Sequence, residues 1–262
     1  MRPLYNELAQ FYEIIEERDY AAEISLIDDV LRRSGARSLI DLGCGTGLHV
    51  RELAKRGYEA LGIDISPQMV SVARRRARGV KNARFTVGDY YSYKPRKKFD
   101  AALCLNWSIP VKKEELDRFF GNTSRLLRES GVLIIDYERP GDIVWEDLGK
   151  PVVDSWNFRD GRIVRVSLGE VKRNVMRSRD VYIVFGRPAA FKPPSEEERY
   201  LGRWREEKVF VFLDVSHVRF YDNSELEKIS LKHGLKSTEI LTLKTRRGYP
   251  RLYNIFVKTG PI

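Results

Sequence analysis

Asp41-Leu42-Gly43-Cys44-Gly45-Thr46-Gly47 decides how this chain is read. It closes the apolar run Ser38-Leu39-Ile40-Asp41-Leu42 and precedes Leu48 to Arg56, where Leu48, Leu53 and Ala54 recur at helical spacing until Gly57. Strand, glycine turn and helix in that order let backbone approach a ligand closely, beside a helix N-terminus with free N–H groups and partial positive charge. The spacing narrows the ligand. Gly43, Gly45 and Gly47 form G-x-G-x-G, whereas a pyrophosphate cradle wants glycine or alanine at position 48, where this chain has Leu48.

The same unit recurs downstream. Ala60-Leu61-Gly62-Ile63-Asp64 repeats the strand pattern, and Ser66-Pro67 caps a helix running from Gln68 to Arg78. Ala83 to Val87 and Phe99 to Cys104 have the length and composition of buried strands, and Lys112 to Arg128 presents Leu116, Phe119, Phe120, Leu126 and Leu127 on one helical face before the strand Val132 to Tyr137. Five such units predict a Rossmann-like, doubly wound α/β sheet. From Asn6 to Leu31 the chain reads as helical.

After Arg139-Pro140-Gly141 the pattern changes. Arg162 to Val166 and Val181 to Phe185 alternate as half-buried strands do, with a loop at Lys192-Pro193-Pro194-Ser195, so residues 141–214 are expected to form an inserted antiparallel β lobe. The tail returns to α/β order: a helix from Glu225 to Lys232 ends at Gly234, and Lys236 to Lys244 and Leu252 to Lys258 supply an antiparallel pair that completes seven strands. The expected domains are therefore 1–140 with 215–262 as the ligand-binding domain, and 141–214 as a lid, substrate or dimerisation lobe.

Composition removes other classes. The 262 residues, 42% hydrophobic, suffice for one sizeable core with an appended lobe. No run approaches the roughly 18 apolar residues of a membrane span, and the start lacks a signal peptide's apolar core, which predicts a cytoplasmic protein. Cys44 and Cys104 are too few for a disulfide framework or a metal cluster, so no metal is expected. Forty-seven Lys and Arg against 37 Asp and Glu favour an anionic partner, but Arg74-Arg75-Arg76 and Arg96-Lys97-Lys98 read as solvated faces, because no aromatic residues interleave them.

Three carboxylates fall at successive strand tips. Beside Asp41, Asp64 ends the second strand, where a carboxylate can accept hydrogen bonds from both hydroxyls of a ribose, and Gly88-Asp89 follows the third, where it can accept from an adenine amino group. Asp41 to Gly47, Gly62-Ile63-Asp64-Ile65-Ser66, Gly88-Asp89 and Leu126 to Ile134 together resemble the successive motifs of class I methyltransferases that use S-adenosylmethionine (SAM), over residues 1–137 and more loosely 217–258. Phe11-Tyr12-Glu13-Ile14-Ile15, Asp19-Tyr20-Ala21-Ala22-Glu23 and His217-Val218-Arg219-Phe220-Tyr221 resemble small-molecule N-methyltransferases, in particular amino-sugar N,N-dimethyltransferases and, more distantly, glycine N-methyltransferases. In those proteins the antiparallel insert helps to form the substrate pocket and often a homodimer contact.

The resemblance implies SAM as cofactor and S-adenosylhomocysteine as product. It places Gly43 and Gly45 along the methionine part, Asp64 at the ribose, Asp89 at the adenine and Tyr12 and Tyr20 over the cofactor, with Asp41, Cys44, Ile65, Gly88 and Tyr90 as further cofactor-binding residues. Leu105 and Asn106 would hold the cofactor through backbone groups, and Trp107 would wall the acceptor. Leu105-Asn106-Trp107-Ser108-Ile109-Pro110 is not the Asn/Asp-Pro-Pro-aromatic signature of base amino-group methylation. His217, Tyr221 and Tyr90 are candidates to receive an amine's proton, Arg203 and Arg219 to meet an anionic substrate, and His49 and His233 read as incidental helix residues. Two other readings remain: an RNA (tRNA) methyltransferase, suggested by charge alone, and a non-catalytic SAM- or dinucleotide-binding protein.

Overall fold

All five residues of the strand Ser38–Leu42 are buried, and that is possible only at the centre of a sheet covered on both faces. The computed structural model describes residues 2–16, 18–140, 148–159, 161–186, 209–244 and 250–260. In chain order its elements are α1 (Tyr12–Ile15), α2 (Tyr20–Arg33), β1 (Ser38–Leu42), α3 (Leu48–Lys55), β2 (Glu59–Asp64), α4 (Pro67–Arg76), β3 (Ala83–Val87), β4 (Phe99–Cys104), α5 (Lys113–Leu126) and β5 (Leu127–Tyr137). Then come β6 (Pro151–Phe158), β7 (Gly161–Lys172), β8 (Val175–Gly186), β9 (Val209–Arg219), α6 (Asn223–Leu231), β10 (Leu235–Lys244) and β11 (Pro250–Lys258). They divide into two compact units, Arg18–Ile143 with Arg219–Ile262, and Met1–Glu17 with Val144–Val218.

The larger unit holds the seven-stranded sheet, in the order β10-β11-β5-β4-β1-β2-β3. β1 pairs in parallel with β2 and β4, β2 with β3 and β4 with β5, while β11 is antiparallel to both β5 and β10. Successive side chains of each strand go to opposite faces. Leu39, Leu103, Ile134 and Ile255 pack with α2, α3 and α4 through Ile27, Leu53 and Val70, and Ile40, Ala102, Leu133 and Phe256 pack with α5 and α6 through Phe119, Phe120 and Leu226. Each fully buried aliphatic or aromatic side chain in these layers contributes roughly 1.5–3 kcal/mol. The chain leaves β1 for β2 on one side and reaches β4 on the other, so the strand tips open a crevice beside β1.

The second unit is an antiparallel sheet, β6-β7-β8-β9. One of its faces, carrying Trp156, Ile163, Tyr182, Val184 and Phe212, is covered by Leu4, Leu8, Phe11 and Ile15 from the chain start. Arg2 donates to both carboxylate oxygens of Asp214, at 2.9 to 3.2 Å, and so anchors that start to β9. Two expectations change here. Residues 1–17 group with the antiparallel sheet, and its other boundaries fall at Val144 and Val218 in place of 141 and 214. The single helix expected from Asn6 to Leu31 is broken into short turns and α1, after which the Asp19 side chain accepts from the Ala22 amide at 3.1 Å and starts α2 afresh. The predicted loop at Lys192 to Ser195 lies outside the described residues.

Candidate functional site

Gly47 stands at φ +76° as the N-cap of α3, a backbone state that costs a side-chain-bearing residue about 1 kcal/mol or more, and a Cβ there would lie 2.4 Å from Phe85 Cε1. Across the loop, a Cβ on Gly62 would lie 2.6 Å from Cys44 Sγ, so β2 and the loop touch only because residue 62 has no side chain. That approach lets β2 hold the loop. The amides of Gly43 and Cys44 both donate to the Ile63 carbonyl at 2.9 Å, and Gly47 donates to the Cys44 carbonyl at 2.9 Å. The Gly45 amide donates to Asp64 Oδ2 at 2.8 Å, while the Ser66 amide donates to Asp64 Oδ1 at 2.8 Å.

The loop itself, ahead of the α3 N-terminus, has few amides to spare. Four of its amides are already engaged within the protein, and what the loop borders is acidic. Asp41 is 2% exposed, and its Oδ2 is buried without a hydrogen-bond partner. Burial pushes its pKa up to about 7, the His49 side opposing and the Asp64, Glu23 and Asp136 carboxylates adding to the rise. Burial also raises Asp64, in spite of its two amide donors.

Beyond β2 the rim is partly apolar. Ile65 is 66% exposed, and the Gly88 amide donates to the Asp64 carbonyl at 2.9 Å. Asp89 Oδ1 accepts from the Tyr91 amide at 2.9 Å, and the Asp89 carbonyl accepts from Ser92 and Tyr93, so this half-buried residue also builds its own turn. At the β4 exit Leu105 is core, whereas Asn106 and Trp107 take φ values of +59° and +61°. Two adjacent non-glycine residues in the left-handed region hold strain that the surrounding contacts must offset. Trp107 is partly exposed, with the Arg251 guanidinium 5.7 Å from its ring centroid.

By strand parity Asp41, Asp136, Arg251 and Tyr253 sit on the α2–α3 side of the sheet, where a buried ionic network joins them. Arg18 donates to Asn106 and Glu23, and to Asp136 Oδ2 at 3.2 Å. Arg251 donates to the same Asp136 oxygen at 2.8 Å, and the Tyr253 hydroxyl donates to Glu23 Oε1 at 2.9 Å. His49 Nε2 lies 3.2 Å from Glu23 Oε2, an ion pair when the imidazole is protonated. Burial would raise the Glu23 carboxyl, but His49, Arg18 and Tyr253 outweigh it and bring it down to about 2. His49 is therefore no incidental helix residue. Tyr20 stands edge-on to its ring, the centroids 6.1 Å apart.

Sequence reasoning passed over Arg18, Glu23, His49, Asp136, Arg251 and Tyr253. One signal was available: Asp136 follows Ile134-Ile135 in the buried run Gly131 to Tyr137 of β5, where an aspartate needs a partner. Two proposed proton acceptors do not fit that role. Tyr221 is fully buried with its hydroxyl donating to the Pro110 carbonyl, and Tyr90 donates to the Ser108 carbonyl at 2.9 Å between Tyr91 and Phe119. Burial pushes both phenols far above their usual range. His217 is an exposed residue of β9, Tyr12 belongs to α1 beside the Tyr5 ring, and both lie in the antiparallel unit. Arg219 lies over the Tyr221 ring at 5.4 Å with its Nε buried and unpartnered, and Arg203 is outside the described residues.

Among the described residues no cluster could hold a metal ion, and no helix is long and apolar enough to cross a membrane.

Residues 39–131 match the methyltransferase domain family. A dTDP-3-amino-3,4,6-trideoxy-alpha-D-glucopyranose N,N-dimethyltransferase of Streptomyces venezuelae is 32% identical over 123 residues, 45% of this chain and 51% of that protein. The chain spans about half the length of the curated relatives it matches. A sugar N-methyltransferase from Streptoalloteichus sp. superposes with a TM-score of 0.70 at 25% identity, over 92% of this chain and 89% of that one. A SAM-bound amino pentose methyltransferase from Micromonospora echinaspora gives 0.68 at 21% identity, over 91% of each chain. Residues 39–131 are thus similar to a methyltransferase domain, and the chain shares its fold with SAM-dependent methyltransferases of known structure.

Proposed function

We propose that this chain binds SAM at the β1–α3 loop and transfers its methyl group to the nitrogen of a small-molecule amine. One observation carries the reading: the loop offers a cation a buried, unpartnered carboxylate oxygen on Asp41, while its Gly43, Cys44, Gly45 and Gly47 amides turn inward to Ile63, Asp64 and Cys44. SAM is a sulfonium with an amino-acid end, so its charge suits this lining and that of a dinucleotide does not. In this reading Asp41, Gly43, Cys44 and Gly45 line the methionine part, Asp64 accepts from the ribose, Ile65, Gly88 and Asp89 border the adenine, and Tyr20, Leu105 and Asn106 close the site. Each Asp64 oxygen has a lone pair left after its amide bond, so it holds the loop and a hydroxyl together.

Bound there, the cofactor supplies a methyl group already activated by its sulfonium. The chain then has to align the acceptor nitrogen with the S–CH₃ axis and keep water out, a positioning effect worth up to roughly 7–11 kcal/mol. Trp107 walls the acceptor side. In this reading Glu138, hydrogen-bonded to Trp107 and 3.7 Å from Arg251, takes the amine's proton; burial raises its carboxyl, Arg251 opposes that rise, and Asp136 adds to it. The relatives' names point to amino sugars linked to a nucleotide, and the formal charge of +10 suits such an anionic acceptor. A homodimer through the antiparallel sheet draws support from Val153, Leu213 and Val215, apolar residues left exposed on β6 and β9.

Calorimetry with SAM, S-adenosylhomocysteine and NAD tests the cofactor, and mass spectrometry of an amine panel incubated with SAM tests the reaction. SAM and its product are expected to bind and NAD to give no heat. Binding of NAD in preference to SAM overturns the reading.

A further inference from the structure

Asp41 is buried, points to the α2–α3 side of the sheet, and leaves one oxygen with no donor. The groups that face it come from several elements: His49 from α3, Glu23 from α2, Asp64 from β2 and Asp136 from β5, with the buried thiols of Cys44 and Cys104 close by. Arg18 and Arg251 add two cations, but these are paired with Glu23 and Asp136. Asp64 is held by two amides. Asp41 is thus the carboxylate left without a counterion in this group, and His49, 3.2 Å from Glu23, is the one neighbour able to change its own charge near neutral pH.

We infer that Asp41 and His49 share protons at the cofactor site, and that a cationic group of the arriving cofactor expels one of them into solution. The inference rests on the SAM reading and adds a regulation to it: occupancy of the site responds to pH around neutrality.

The sign follows from electrostatics. An isolated buried carboxylate is costly, and burial pushes Asp41 up to about 7, so near neutral pH it holds a proton a good part of the time. Burial lowers His49, and Glu23 more than reverses this, leaving the imidazole raised. A cation brought against Asp41 favours its ionised form and disfavours a protonated His49, so both groups lose protons on binding. The two titrate as a pair, and the released proton belongs to the pair. Affinity therefore rises with pH up to about 7, by no more than about tenfold per unit for one proton.

Calorimetric titration of the full chain with SAM at pH 6.5, in buffers of low and high ionisation enthalpy, measures the protons released. The ligand's own α-amino group, with a pKa of about 8, keeps its proton there. The wild type is expected to release roughly half a proton or more per SAM bound. Asp41→Asn is expected to cut the release to the part that His49 alone gives up. His49→Gln, which removes the imidazolium that holds Asp41 down, moves the midpoint of the affinity profile to higher pH and serves as the second variant should Asp41→Asn fold poorly. SAM binding with the same heat in every buffer, and with a flat profile between pH 6 and 7.5, overturns the proton-coupling inference and leaves the cofactor reading standing. Absence of SAM binding across pH 6 to 9 overturns the reading on which it rests.

Discussion

Replacing Asp64 by asparagine separates two jobs that one side chain performs. In the wild type the Gly45 and Ser66 amides each meet a carboxylate oxygen at 2.8 Å. Asparagine keeps one oxygen and turns an NH₂ toward the other amide, so one hydrogen bond to a charged acceptor is lost and two donors face each other. Such bonds contribute about 1.5–3 kcal/mol each, so the expected loss of stability is about 2 kcal/mol, or roughly 4–8 °C in Tm for a chain of this size. SAM affinity should fall at least about tenfold, about 1.4 kcal/mol, because the ribose loses its charged acceptor and the loop its mooring. Asp64→Ala, which removes both bonds, should about double the stability loss. Urea unfolding and calorimetry on the same preparations give the two numbers independently. An Asp64→Asn chain that unfolds at the wild-type midpoint and binds SAM with the wild-type Kd refutes the reasoning at both points.

Two further outcomes are expected. Tyr221→Phe removes a buried hydroxyl that donates to the Pro110 carbonyl, so it should cost about 1 kcal/mol in denaturant unfolding while leaving the rate of methyl transfer unchanged; a large fall in kcat at unchanged stability would restore Tyr221 as a proton acceptor. Glu23, held near 2 in the folded chain against an ordinary 4.5, contributes stability that is present above about pH 4.5 and lost as pH falls toward 2, on the order of 3 kcal/mol in full. Urea midpoints at pH 5 and pH 3 should therefore draw closer together in Glu23→Gln than in the wild type, and an equal spacing in both chains would show that Glu23 is not the group responsible.

The parallel sheet was legible because each of its elements is specified locally. Ser66-Pro67 caps α4 in the structure as its residue types demand, the Ser66 hydroxyl accepting from the Met69 amide at 3.1 Å, and Leu116, Phe119 and Phe120 all face the core from α5. The opening segment was misread for the opposite reason. Its apolar residues Leu4, Leu8, Phe11 and Ile15 have helical spacing, yet what they cover is a β-sheet formed some 140 residues later in the chain, and that demand breaks the helix into short turns. The glycine loop, Asp41, Asp64 and Asp89 could be seen from spacing. The ionic network could not, since Arg18 reaches Asp136 across 118 positions and Tyr253 reaches Glu23 across 230, and no periodicity links such pairs. Nor could spacing show which way the loop's amides face, which depends on the contact between Gly62 and Cys44.

That contact bears on speed as well as on fit. A crook sewn to its neighbouring strand at Ile63 and Asp64 has its shape before any visitor arrives, so little motional freedom is surrendered on entry. Capture should then proceed at the pace of encounter, with discrimination among adenosine-bearing molecules falling to how long each one stays.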